Sequence, residues 1–153
     1  MATTKQLRAL ADYLKTSSDQ TVAAAINGRD YAVLADWLNA AGTLAAWMPA
    51  ASRQDLFESM NISTYDTVAS GKKDSWKMML DFAPIDFTSQ KMRKAIVDIF
   101  VTADANAALS ALTFTATRAE EILGGDSATT GTVTALKLKF VGAITADEIK
   151  TVV

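Results

Sequence analysis

Thr132-Val133-Thr134-Ala135-Leu136-Lys137-Leu138-Lys139-Phe140-Val141 alternates apolar and polar side chains. Leu136, Leu138 and Phe140 fall on one face and Lys137 and Lys139 on the other, a period of two that predicts a strand. Working outward, Gly142 stops it, and Thr145 with Glu148 has capping-box spacing for a closing helix that holds Ile149 and Val152. On its N-terminal side Asp126 to Gly131 reads as a polar turn. Before that, Asp104 opens a helix over about residues 105 to 123, with Leu109, Leu112, Ala116, Ala119 and Leu123 as its seam and Gly124-Gly125 as its end.

The rest of the chain reads as helices. Thr3 with Gln6 caps a helix over about 4 to 15 (Leu7, Leu10, Ala11, Leu14), and Ser17 with Gln20 caps a short one that stops at Asn27-Gly28. Asp30 opens a stripe of Val33, Leu34, Trp37 and Leu38. Residues 43 to 51 are apolar without a clean period, a packed connector in which Pro49 biases Met48 to extended backbone. Ser52 opens a helix with Leu56, Phe57 and Met60, and Ser63 with Asp66 starts a further turn. Another helix runs from about Ser70 to Phe82 with Trp76, Met79 and Leu80 inward, halted before Pro84. Thr88 or Ser89 caps an amphipathic helix with Met92, Ile96, Ile99 and Phe100 on one face and Lys91, Arg93, Lys94 and Asp98 on the other.

The fold class expected from this is mainly α: a compact multi-helix domain with a short C-terminal β segment at about 132–141, the whole of 1–153 forming one helical domain. A lone strand needs partners for its backbone groups. They come either from within the chain, for instance an extended piece near residues 43 to 48, or from another molecule.

Composition bounds the function. The 153 residues carry a formal charge of −2 with no histidine and no cysteine. Disulfides and thiolate metal sites are excluded, and the commonest general base and metal ligand is missing. The fifteen basic residues are scattered, so no footprint for a phosphate backbone appears and no specific nucleic acid is expected. No apolar run approaches a membrane span and the N-terminus has no signal-peptide pattern, which predicts a soluble protein without a membrane partner.

Motifs for catalysis are equally thin. Glu120 and Glu121 are helix neighbours about a hundred degrees apart and do not face each other as a carboxylate pair; one is expected in solvent and the other on Arg118 or a helix end. Asp147-Glu148 suits a helix N-terminus. Ser70-Gly71-Lys72-Lys73 lacks the spaced glycines and Lys-Ser/Thr ending of a phosphate loop. Gly124-Gly125 closes a helix where a dinucleotide loop would open one. Asp81 and Asp86 lack the further oxygens that calcium needs. No catalytic, cofactor-binding or metal-binding residue is assigned, and the expectation is a non-enzymatic protein without cofactor. Trp47, outside any amphipathic pattern, is the tryptophan best placed for a binding face.

The order of several short motifs resembles a family of small structural-module proteins of tailed bacteriophages. Leu34-Ala35-Asp36-Trp37-Leu38-Asn39 resembles that family's Ala-Asp-x-Leu-Asn stretch with one extra residue. Pro84-Ile85-Asp86-Phe87 stands where the family has a turn such as Asp-Pro-Phe, before a helix that here ends Asp98-Ile99-Phe100. Ala108-Leu109 through Thr117-Arg118-Ala119-Glu120-Glu121-Ile122-Leu123 is similar to an Ala-Leu-rich helix ending Ser/Thr-Arg-Ala-Glu-Glu-Leu. Gly131 to Phe140 and Thr145-Ala146-Asp147-Glu148-Ile149 follow the order of its short strand and closing helix.

The resemblance implies a virion component at the head-tail connector, adaptor or tail-completion level. Its implied partners are portal, connector or tail proteins and further copies of itself in the particle, and it would be made in the cytoplasm of the bacterial host. The alternative is a non-virion assembly chaperone or host-directed interaction protein. The residues expected at a protein interface are Trp47, Leu136, Lys137, Leu138, Lys139 and Phe140.

Overall fold

The computed structural model describes all of Met1–Val153. Nine α-helices accompany a mixed four-stranded sheet, so the chain is α/β, and the expected mainly α class with one short β segment is corrected. The expected strand exists as β4 (Val133–Leu138), joined by β1 (Ala41–Trp47), β2 (Thr113–Thr117) and β3 (Gly125–Thr130) in the order β2-β1-β4-β3. β1 runs parallel to β4, with Ala46 opposite Leu136. Both sides of β4 are therefore occupied within the chain, and the extended piece near residues 43 to 48 is one of its partners. The other possibility, a strand that takes its backbone partners from another molecule, is excluded for β4.

Each additional strand has a local reason. Thr113, Thr115 and Thr117 alternate with Phe114 and Ala116, and three β-branched residues in five disfavour helix. The expected helix over 105 to 123 is thus two, α7 (Thr102–Ala111) and α8 (Arg118–Leu123), with β2 between them. α8 starts where Thr117 and Glu120 form a reciprocal capping box. In β3, Gly, Asp, Ser and Thr are turn formers by composition, yet they pair with β4 through a two-residue turn. Gly131 there has φ 59°, the positive value a primed hairpin turn requires.

The chain divides into two compact units. The first comprises Met1–Leu44, Thr115–Asp126 and Leu138–Val153. It contains α1 (Thr4–Thr16), α2 (Gln20–Gly28), α3 (Tyr31–Asn39), α8 and α9 (Ala146–Lys150). The capping boxes at Thr3 and Thr145 and the Asp30 cap form as expected. α2 is capped by Asp19 instead of Ser17, because the Asp19 carboxylate reaches the free N–H groups of both Thr21 and Val22. The core of this unit gathers Leu10, Leu14, Val22, Leu34, Leu38, Ala119, Phe140, Ile144 and Ile149.

The second unit comprises Ala45–Phe114 and Ser127–Lys137. It contains α4 (Arg53–Ser59), a single 3₁₀ turn at Tyr65–Thr67, α5 (Ser70–Phe82), α6 (Gln90–Ile99) and α7. Its core is built on Trp47, Leu56, Trp76, Phe87, Ile96, Leu109 and Leu112, with the Trp76 and Phe100 rings edge to face at 5.1 Å. No helix of the chain is long and apolar enough to cross a membrane.

Candidate functional site

The six residues expected at an interface do not form one exposed surface. Trp47 is only 1% exposed and belongs to the core of the second unit, where its Nε1–H donates to the Ala128 carbonyl at 3.1 Å. Phe140 is buried in the core of the first unit. Leu136 and Leu138 are half-buried, whereas Lys137 and Lys139 point to solvent. Exposure alternates from Leu136 to Phe140, but the residue that β4 buries in a core is Ala135, on the same side of the strand as Lys137, and the expected apolar face is only partly covered.

In the first unit the chemistry gathers around Trp37. The Arg118 guanidinium lies over its indole at 4.5 Å and donates through NH1 to the Trp37 carbonyl at 3.4 Å. The Trp37 Nε1–H donates to Asp19 at 3.4 Å, and the Tyr13 ring centroid is 6.4 Å from that of Trp37. Arg118 therefore anchors α8 to a backbone carbonyl of α3 and does not pair with Glu120 or Glu121. Glu121 accepts from the Thr43 and Leu44 amides at 2.5 and 2.6 Å. These two carboxylates divide the work: Glu120 closes its own helix cap and is buried, and Glu121 ties α8 to β1. A Cβ on Gly42 would collide with the Glu121 carboxylate, which explains glycine at that position.

In the second unit Arg93 is the residue that helix patterning misassigned to a solvated face. It is 3% exposed, with Nε donating to the Thr130 hydroxyl and NH1 to the Phe87 and Thr88 carbonyls, each at 2.8 Å. Its guanidinium lies 4.9 Å from the Trp47 ring centroid. Burial pushes the guanidinium below its ordinary value, with the Asp86 carboxylate opposing the shift. The signal was present in the helical phase: Arg93 precedes Ile96 by three and Phe100 by seven, the spacing of the inward stripe. Two buried side-chain atoms, Trp76 Nε1 and Glu120 Oε2, have no hydrogen-bond partner.

These constellations brace structure. Glu120 and Glu121 point to different tasks, and no three or more Asp or Glu side chains converge in a cation cage. No family model, curated protein or solved structure matches this chain. What the residues define by themselves is an α/β protein whose conspicuous polar side chains hold elements together.

Proposed function

We propose that this chain is a non-enzymatic structural protein of a tailed-bacteriophage virion, a head-tail connector, adaptor or tail-completion component that works through protein contacts. One observation carries the reading: segments that give the resemblance interlock in the first unit. Asn39 in α3 exchanges two hydrogen bonds with the Ile144 backbone, at 2.7 and 2.8 Å, just ahead of the Thr145 cap. Arg118 stacks on Trp37, and its backbone N–H donates to the Ala40 carbonyl. Motifs at 34–39, 117–123 and 145–149, far apart in sequence, therefore constrain one another, as expected for positions that specify a shared fold. Unit two adds large apolar side chains left in solvent on its helices, including Phe57, Met78 and Phe82. Contacts with other proteins would cover such groups.

Mass spectrometry of purified particles tests the proposal. The chain is expected at a fixed copy number per virion. Its presence in infected cells together with its absence from particles would refute the virion role and favour an assembly chaperone or host-directed protein.

A further inference from the structure

β3 is an outer strand of the sheet, and one of its sides is unused. The turn at Gly131 and Thr132 sets Thr130 opposite Val133, and the 2.7 Å contact between the Thr129 and Thr134 hydroxyls fits that register. Antiparallel alternation then directs the N–H and C=O of Ala128 and Thr130 toward β4 and those of Ser127 and Thr129 away from it. Alongside runs α6. Gln90, Lys94, Val97 and Asp98 of the helix, with Thr129, Thr130 and Gly131 of the hairpin, bound a groove of about 420 Å³. Of the outward-facing backbone, that of Thr129 lines the groove opposite the helix and that of Ser127 continues the strand edge two residues beyond it, an arrangement in which an extended peptide can add to a sheet.

Charge selects what fits. At the Gln90 end α6 has no acidic residue in its first turn and Ser89 makes no side-chain cap bond, so the positive end of the helix adds to Lys94 in the groove and Lys91 beside it, while Asp98 lines the opposite end. Val97, 40% exposed, offers an apolar contact one turn further along. We infer that this groove receives an extended segment of another protein as an added strand along β3, with an acidic residue at the Gln90–Lys94 end and an apolar residue over Val97. A helical partner would leave the outward backbone groups of Ser127 and Thr129 unpaired. The inference goes beyond the virion reading and stands without it.

Two blocked peptides serve as probes, acetyl-Thr-Val-Thr-Val-Glu-Glu-amide and the same peptide with Lys in place of Glu, titrated into the isotope-labelled full chain. The acidic peptide is expected to give saturable amide shifts at Ser127 and Thr129 and to bind about ten-fold more tightly than the basic one at low salt. Thr129→Pro removes an outward N–H that the ladder does not use, which an edge strand tolerates. It should abolish binding while the circular dichroism spectrum is kept. Lys94→Glu should reverse the peptide preference, and it decides the matter if Thr129→Pro does not fold. The inference is overturned by an absence of saturation at Ser127 and Thr129, by shifts confined to α6, or by an unaltered preference in Lys94→Glu. Undiminished binding by folded Thr129→Pro overturns it too. So do concentration-dependent shifts at the same amides without peptide, which would place a second copy there.

Discussion

Replacing Arg93 asks whether a buried guanidinium without a carboxylate on it holds the second unit together. Only the exposed pair Arg53–Asp81 lies at ion-pair distance in the chain, so Arg93 is satisfied by neutral oxygens alone. Its three hydrogen bonds are of the charge-assisted kind, about 1.5–3 kcal/mol each. Removing the charge also relieves a desolvation cost of several kcal/mol, so these two terms largely cancel. What decides the outcome is the set of acceptors left behind. Phe87 and Thr130 are buried while Thr88 is half-buried and open to water, so two oxygens lose their partner at about 1–3 kcal/mol each.

Arg93→Ala is therefore expected to lose about 3 kcal/mol, a drop in thermal midpoint of roughly 6–12 °C for a chain of this size. Arg93→Met separates the causes, because it keeps the stem and a sulfur contact with Trp47 but donates nothing. It should still lose about 2 kcal/mol in urea denaturation. If Arg93→Met is as stable as the wild type, the carbonyls do not need the guanidinium and the reasoning fails.

Arg118→Ala should cost about 1 kcal/mol, since the residue is half-buried and contributes one long hydrogen bond and one cation–π stack; an unchanged urea midpoint would show that the stack adds nothing. Gly42→Ala should displace the Glu121 carboxylate and cost roughly 1–3 kcal/mol. In the Gly42→Ala, Glu121→Ala double variant the two losses should be strongly non-additive, and simple additivity would mean that the residues do not interact. Acid should weaken the first unit. Asp19 is held below 3.8 chiefly by the Val22 N–H, and Glu148 below 4.5 chiefly by the Thr145 N–H. Because the folded values lie below the unfolded ones, this stabilisation is complete above the unfolded values and is lost as pH falls through the folded ones. Urea midpoints followed from about pH 5 to pH 2 should fall less steeply in Asp19→Asn, Glu148→Gln, and an identical slope would contradict the assignment.

The starts of α1, α4 and α9 were legible because a cap is a local device, whereas α7 begins at Thr102, ahead of the expected Asp104 cap, and Ser89 makes no cap bond to α6. Thr3 with Gln6, Ser52 with Asp55, and Thr145 with Glu148 each close a reciprocal pair within one turn, so the spacing is written in the chain. β4 was legible from the alternation of Leu136 and Leu138 with Lys137 and Lys139, but its inward side was not, since the buried Ala135 lies on the side of the lysines. Local propensity failed where two periods coincided. Leu112, Ala116 and Ala119 continue a helical seam, yet Phe114 and Ala116 with the flanking threonines also fit a strand, and the sheet decided between them. Of the candidate site, sequence patterning offers Arg118 only as a partner for a neighbouring carboxylate and places Arg93 in solvent, because its charge masks its helical phase.

β1 shows why a strand can leave no trace in sequence. Its pattern has no alternation because its exposed stretch around Thr43 and Leu44 is held by a side chain: consecutive amides converge on one Glu121 oxygen, 78 and 77 residues away. Consecutive N–H groups in a regular ladder point to opposite sides, so this stretch departs from ladder geometry and from the period of two that would advertise it. Regularity returns at Ala46 and Trp47, where burial and the parallel register with Leu136 begin. The strand is thus specified by contacts distant in the chain, a carboxylate at one end and the flanking strands β2 and β4. Periodicity within a short window has access to neither. The same holds for the groove beside β3: its composition says turn, and only the pairing of Thr130 with Val133 turns the backbone of Ser127 and Thr129 outward.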